Sequence, residues 1–583
     1  MKFGRWLGGG LALLTATTCF SFAQAQDPQP EFGTGWQDKT SVVAERFMVA
    51  AANPHAVRAG YDVLKRGGTA ADAAVAVQLV LNLVEPQSSG IGGGAFLLYW
   101  DAATKTLHTI DGRETAPAAA MPARFLEHDG KPMKFVEAVI GGQSVGVPGT
   151  LRLLEVMHRR FGRVPWQELF TPAITLAENG FEISPRLAKS ILQTQKSGLI
   201  RFPAARTYFF GKTGAPLPSG HRLKNPTFAA TLRVIARDGS KAFYTGDIAA
   251  DIVKAVAETS AVANNLNLHD LASYEAKFRQ AVCTVYRAYQ VCGMGPPTSG
   301  GLTVAQILGL LVHHDLRAVG WNADFVHLYS EAAKLAYADR ARYMADGDFV
   351  EVPVAGLLDP VYLKARAQQI DIQKSHGKAT AGKPPANKTL DWVPDVNRDR
   401  AGTSHFVIRD TYGNALSMTS TIESGFGSRV MVRGFLLNNE LTDFSRWPEK
   451  DGRPIANRVE GGKRPRSSMA PTIVFKDGQP YLLIGSPGGS RIINYVAKSL
   501  IAILDWNMDP QDALETGHFT HRNGKTLDLE NGTVASGFAE ALRAKGHRTN
   551  ARNLNSGLHA ILIRDGKLIG AADPRREGIA MGE

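Results

Sequence analysis

The sequence lacks several features that would restrict its class. Its 59 glycines and 30 prolines follow no fixed period, which excludes a collagen-like rod and a solenoid array. Beyond the N-terminal segment, no apolar run approaches the roughly 20 residues that cross a bilayer, so no stable membrane span is expected. Neither charge sign is segregated. The 66 Lys and Arg and 54 Asp and Glu give a net charge of +12, but they are interspersed, which describes a mixed solvated surface and not a nucleic-acid groove. What the chain does have is 44% hydrophobic residues, enough for a large packed core.

Cysteine is scarce, with three residues in all. The first 25 residues read as a signal peptide: Lys2 and Arg5 precede an apolar run of about 16 residues, Leu7–Phe22, and Ala23-Gln24-Ala25 supplies the small-x-small cleavage pattern. A periplasmic or secreted location is therefore expected. Thr17-Thr18 makes a poor lipobox ahead of Cys19, and removing the segment leaves Cys283 and Cys292 where thiols can oxidise. Both lie in AVCTVYRAYQVCGM, which alternates like two strands around Arg287-Ala288. Pairing Tyr286 with Tyr289 sets Cys283 opposite Cys292 at a non-hydrogen-bonded position, where a disulfide can form. Two buried thiols are the alternative.

Along the mature chain, HAVRAGYDVLKRGG and TAADAAVAVQLVLNLV read as two helices, the second capped by Thr69. AFLLYW and TLHTI read as adjacent strands. Helical patterns dominate from about residue 150 to 322, and QKSHGKATAGKPPANKTLDWVPDVNRDRAG reads as a mobile connector ending at Gly402. Strands resume in SHFVIRD and NALSMTSTI, joined by a turn at Asp410–Asn414, and PTIVFKDGQPYLLIGS is a hairpin tipped by Asp477-Gly478. The pattern is mixed α/β (α+β), with helices packed over antiparallel sheets.

Gly402-Thr403-Ser404-His405-Phe406 places a hydroxyl nucleophile between the connector and a strand. A threonine hydroxyl needs a base to take its proton. If the bond before Thr403 is cut, the freed α-amine, with a reference pKa of about 7.7–8.0, is a base fixed beside it. Gly402 offers little obstruction to attack on its carbonyl, so Thr403 could sever its own upstream bond through an ester. A threonine at an ordinary strand start is the bland alternative.

The motifs PQSSGIGGGAF (86–96), DGRETAP (111–117), GTSHF, LLNNELTDFS (436–445), KRPRSSMAPT (463–472), GSPGGSRI (485–492) and AADPRREG occur in one order along the chain. Together they resemble the gamma-glutamyltransferase (gamma-glutamyl transpeptidase, glutathione hydrolase) family over nearly the whole mature chain. The resemblance implies an N-terminal nucleophile hydrolase with a four-layer αββα sandwich. It implies self-cleavage between Gly402 and Thr403, giving a large subunit (26–402) and a small subunit (403–583) that form one intertwined catalytic domain as a heterodimer.

By position, the resemblance makes Thr403 the nucleophile and Thr421 the second threonine that orients it, with the oxyanion hole at the backbone amides of Gly488 and Gly489. Two consecutive glycines suit that task, because their N–H groups turn without side-chain obstruction. Arg113 matches the arginine that takes the substrate α-carboxylate, a task for a planar guanidinium. Ser467 and Ser468 match the hydroxyls that share it, and Glu440 and Asp443 match the positions facing the ammonium. Glu423 stands where many members carry asparagine, and is expected either to pair with Arg429 or Arg433 or to alter donor preference. The stretch 446–462 is shorter than the covering loop of some members.

The implied partners are glutathione or another gamma-glutamyl donor, and water or an amino-acid or dipeptide acceptor. No cofactor and no metal are expected. Alternatives are a beta-lactam side-chain (cephalosporin) acylase of the same family and an exported amino-acid-binding protein that never processes. GQSVG (142–146) fits a nucleophile elbow at Ser144, but Val147-Pro148-Gly149 delay the helix. Gly90–Gly94 precede a strand, unlike a dinucleotide loop, and the adjacent His313 and His314 do not share a helix face.

Overall fold

Two seven-stranded antiparallel sheets stack face to face in the computed structural model, which describes residues 33–263, 265–386, 391–395 and 402–583. The segment read as a signal peptide, with Cys19, lies outside the described residues. One sheet runs in the order Ile579–Gly582, Met48–Ala51, Thr403–Arg409, Ala415–Thr421, Gly94–Asp101, Thr106–Gly112, Lys277–Arg279. The other runs Val42–Ala44, Lys567–Ala572, His559–Arg564, Gln479–Gly485, Thr472–Lys476, Tyr289–Gly293, Val282–Tyr286.

The period-2 alternation of each strand divides its side chains between two cores. Phe406 and Ile408 point into a core shared with the helices Pro54–Lys65, Ala70–Val84 and Thr150–Phe161. Val407 points the other way, into the core between the sheets. That second core continues through the second sheet to Gly300–Leu311, Ala323–Tyr343 and Ile492–Leu504. The layer order is therefore helix, sheet, sheet, helix, an αββα sandwich. No helix among the described residues is long and apolar enough to cross a membrane.

Local chemistry explains the elements nearest the site. Ala70–Val84 begins with a capping box: Asp72 Oδ2 accepts from the Thr69 N–H at 2.8 Å, and Thr69 Oγ1 accepts from the Asp72 N–H at 3.3 Å. Asp410, in the turn between the two central strands, accepts from the Ala70 N–H at 2.8 Å and so ties that helix start to the sheet. Asp477 and Gly478 both take positive φ at the hairpin tip, the geometry of a tight two-residue turn. In the Val282–Tyr286/Tyr289–Gly293 hairpin, Tyr286 pairs with Tyr289, and Cys283 faces Cys292 with a disulfide between them.

The connector departs from the expected mobility over its described parts. Gly382 N–H donates to Asp339 at 2.7 Å, Asn523 holds both backbone groups of Ala379, and Asp395 accepts from buried Arg466 at 3.0 Å. A polar, proline-rich segment can dock through scattered hydrogen bonds and isolated apolar side chains such as Trp392 and Val393, which an apolar-periodicity reading does not register. Residues 387–390 and 396–401 lie outside the described residues.

Candidate active site

Strand register builds the site. Thr403, the first residue of its strand, pairs with Thr421; Thr421 pairs with Gly94 on its other side; and Ala95 pairs with Gly112, so Arg113 follows at the same end of the next strand. One end of the central sheet thus carries Thr403, Thr421 and Arg113 in a single row. All three are buried.

Around Thr403 the fit is close. A Cβ at position 402 would lie 2.3 Å from the Glu423 carbonyl oxygen, so glycine is required there. Thr421 Oγ1 donates to the Gly402 carbonyl oxygen at 2.6 Å and accepts from the Glu423 N–H at 2.8 Å. The carbonyl immediately before Thr403 is therefore hydrogen-bonded by the residue paired with Thr403. His405, two residues along on the same face, meets Thr419 Oγ1 through Nδ1 at 2.9 Å, and Nε2 has no partner. Burial, with the nearby His559, keeps its pKa well below the usual imidazole range, so it is neutral.

Gly485 packs on the His405 ring, where a Cβ would meet Cε1 at 2.3 Å. The turn that follows Gly485 carries Gly488 at φ 138° and Gly489 at φ 58°, and leads through Gly489–Arg491 into the helix Ile492–Leu504. Side chains disfavour that backbone, and at Gly488 a Cβ would also approach Tyr495 to 2.8 Å. Two glycines at the entry to a helix leave N–H groups suited to an anion.

The second half of the site is a buried charge cluster. Arg113 is bound by Glu440 through Nη1, by Asp443 through Nη2 at 2.6 Å, and by the carbonyls of Pro465 at 3.1 Å and Arg466 at 3.0 Å. The Glu440–Asp443 turn presents both carboxylates. Burial alone would lower the Arg113 pKa, but Glu440, Asp443 and Glu114 outweigh it and hold the guanidinium charged. The two poles expected to bind opposite ends of a substrate thus contact each other directly.

Ser467 and Ser468 follow the two carbonyls that grip Arg113. Ser467 Oγ accepts from the Met469 N–H at 3.1 Å, and Ser468 Oγ from Arg340 at 2.6 Å. Glu423 sits in the left-handed region at φ 75° and accepts from the Asn439 amide. Its carboxylate also acts on Arg429, whose pKa burial nonetheless lowers to about 10. Arg433, the other arginine considered for Glu423, is instead paired with Asp251 at 2.5 Å.

The residue-by-residue reading of the sequence passed over Glu114. It is fully buried beside Arg113, neither carboxylate oxygen has a hydrogen-bond partner, and burial pushes its pKa up to about 7. Glu440 is likewise raised, by burial and by its acidic neighbours. The position of Glu114 in DGRETAP was the available signal. Asn439 and Arg340, which orient Glu423 and Ser468, were missed as well. Ser144 is spent on the carbonyls of Val139 at 2.6 Å and Gly141 at 3.0 Å, as a structural turn requires.

The profile of the gamma-glutamyltranspeptidase family matches residues 56–583. The chain belongs to that family. The glutathione hydrolase proenzyme of Bacillus subtilis (strain 168) is 37% identical, with 98% of this chain and 96% of that protein covered. The glutathione hydrolase proenzyme of Escherichia coli (strain K12) is 35% identical, covering 97% of each. The family also holds acylases: the acylase ACY 1 proenzyme of Pseudomonas sp. (strain SE83) is 33% identical over 94% of this chain and 96% of that one. Among solved structures, cephalosporin acylase from Bacillus halodurans superposes with a TM-score of 0.82 at 26% identity, covering 96% of this chain and 99% of its own. Helicobacter pylori gamma-glutamyltranspeptidase gives 0.53 at 34% identity, covering 57% of this chain and 93% of the other.

Proposed function

We propose that this member of the gamma-glutamyltranspeptidase family is an exported proenzyme that cuts itself before Thr403 and then uses Thr403 to transfer or hydrolyse gamma-glutamyl groups, with glutathione as one donor. The observation that carries the reading is the hydrogen bond from Thr421 to the Gly402 carbonyl, in the row that also ends at Arg113. In self-cleavage, Thr403 Oγ1 adds to the Gly402 carbonyl carbon. Negative charge develops on the oxygen that Thr421 already contacts, the C–N bond breaks as the Thr403 nitrogen takes the hydroxyl proton, and an ester joins Gly402 to Thr403 Oγ1. Water hydrolyses that ester, leaving a carboxylate on Gly402 and a free amine on Thr403. The products are two fragments, 26–402 and 403–583, of about 41 and 20 kDa. The H. pylori solved chain, nearly all of which matches only part of this one, supports that two-chain organisation.

In turnover, the Thr403 amine takes the hydroxyl proton, and Oγ1 attacks the gamma-carbonyl of the donor. The amides of Gly488 and Gly489 receive the oxyanion. The leaving amine takes the proton and departs, and water or an acceptor amine resolves the gamma-glutamyl ester. Three neighbouring strand spacings put Arg113 about 14 Å from Thr403, a span that a guanidinium arm and a gamma-glutamyl group share. Arg113, Ser467 and Ser468 take the α-carboxylate. Glu440 and Asp443, with Glu114 behind them, take the ammonium, so the ion pairs within the cluster exchange for ion pairs to substrate.

An acylase for glutaryl-type side chains is the second reading, favoured by the acylase relatives. The surplus of buried carboxyls over guanidinium weighs against it, since a glutaryl group brings no ammonium. N-terminal sequencing of the smaller fragment tests the cleavage, with Thr403 expected first. Rates on gamma-glutamyl and glutaryl anilides separate the two activities. A single uncut band that binds amino acids without turnover would indicate a binding protein instead.

A further inference from the structure

A second cluster lies apart from this site. The helix Ala323–Tyr343 sets His327 and Glu331 one turn apart on the same face, about 20 Å and about 14 Å along the helix from Arg340. His547, after the helix Ala539–Ala544, closes on them. Each of the three buried residues offers one ligand atom, and those atoms lie within 4.8 Å of one another. His327 Nδ1 is 2.8 Å from His547 Nε2, and His547 Nε2 is 3.7 Å from a Glu331 oxygen. His327 Nε2 lies 2.7 Å from the Asp371 carbonyl oxygen and must donate to it, so Nδ1 presents its lone pair to the cluster. A backbone carbonyl behind an imidazole in this way is how metal-bound histidines are oriented.

We propose that His327, Glu331 and His547 form a binding site for a divalent ion of the zinc class, which joins residues from the two sides of the 402/403 junction. Imidazole nitrogens with one carboxylate suit zinc and its first-row neighbours. Tetrahedral zinc with bonds of about 2.0–2.1 Å holds its ligand atoms about 3.3 Å apart. The 2.8 Å contact must widen and the 3.7 Å contact shorten by similar small amounts. Lys334 Nζ, 2.5 Å from Glu331 and 2.8 Å from Ser375 Oγ, is the cation that the ion displaces from Glu331. His376, with a 57% exposed side chain 3.9 Å from Glu331, lies between the cluster and solvent.

Tag-free, chelator-treated full-length protein titrated with zinc chloride should bind one equivalent and gain thermal stability, and chelator should reverse the gain. His547→Gln should weaken binding by at least the roughly 10–100-fold that even outer-shell partners carry. Glu331→Gln serves as a second variant, and cobalt(II) absorption of the wild-type protein reports imidazole ligation without any substitution. No stoichiometric uptake by the folded wild-type protein, or uptake unchanged in both variants, overturns the proposal and leaves only a hydrogen-bonded histidine pair.

Discussion

Thr421→Val tests the self-cleavage geometry directly. The substitution keeps the β-branched shape of a buried strand residue and removes one oxygen. Two hydrogen bonds disappear: the donor to the Gly402 carbonyl at 2.6 Å and the acceptor for the Glu423 N–H at 2.8 Å. The first loss acts on the transition state, because charge develops on the oxygen that Thr421 contacts. Loss of one such preorganised donor costs about 10²–10³ in rate, or roughly 2.7–4 kcal/mol of barrier. The second acts on the folded state and leaves a buried N–H unpaired, at about 1–3 kcal/mol. Purified precursor followed on a denaturing gel gives the rate of appearance of the fragments of about 41 and 20 kDa. Thermal unfolding of the uncut Thr403→Ala form, with and without the valine, measures the stability cost by itself. Thr421→Ser restores the oxygen and should recover most of the cleavage rate. If the valine variant matures within a few-fold of the wild-type rate, Thr421 does not stabilise the developing oxyanion and the mechanism fails.

Other perturbations discriminate among the remaining parts. Glu114, with its folded pKa up to about 7 from a reference of 4.5, binds a proton that the unfolded chain releases. It therefore contributes stability on the order of 3 kcal/mol that is complete below about pH 4.5 and lost as pH rises through 7. Glu114→Gln should flatten the fall of the thermal midpoint between pH 5 and pH 8; an unchanged slope would show that this carboxyl is ionised throughout. Arg113→Met should destabilise the protein by about 3–5 kcal/mol, because Glu440 and Asp443 lose their buried counter-charge. Arg113→Lys should retain more stability but raise KM for gamma-glutamyl anilides, since an ammonium cannot bind a carboxylate in a bidentate fork. A lysine variant with wild-type KM would remove Arg113 from substrate binding. Replacing both Cys283 and Cys292 by serine opens a short hairpin loop at the sheet edge, with an expected cost of about 2–3 kcal/mol. Turnover by the folded variant should be unchanged, and a loss of activity at equal foldedness would contradict the structural role.

Residues close in sequence determined much of what the structure contains. Thr69 with Asp72, the Asp410–Asn414 turn, the Asp477-Gly478 tip and the Tyr286/Tyr289 register each follow from caps, turns and alternation spanning only a few residues. Such interactions are local, so their chemistry is legible from the order of residues. The ordered motifs likewise marked the positions that the fold gathers into the candidate site. Tertiary structure alone decided how those positions meet. Arg113 lies against Glu440 and Asp443, more than three hundred residues away, and Arg433 turns to Asp251 and not to Glu423. The connector docks where a mobile segment was expected, and Glu114 loses solvent through contacts that its place in DGRETAP does not reveal. Sheet register and burial set these pairings. Both depend on strands brought side by side across the whole chain, and the free energy of a charge depends on what surrounds it in space.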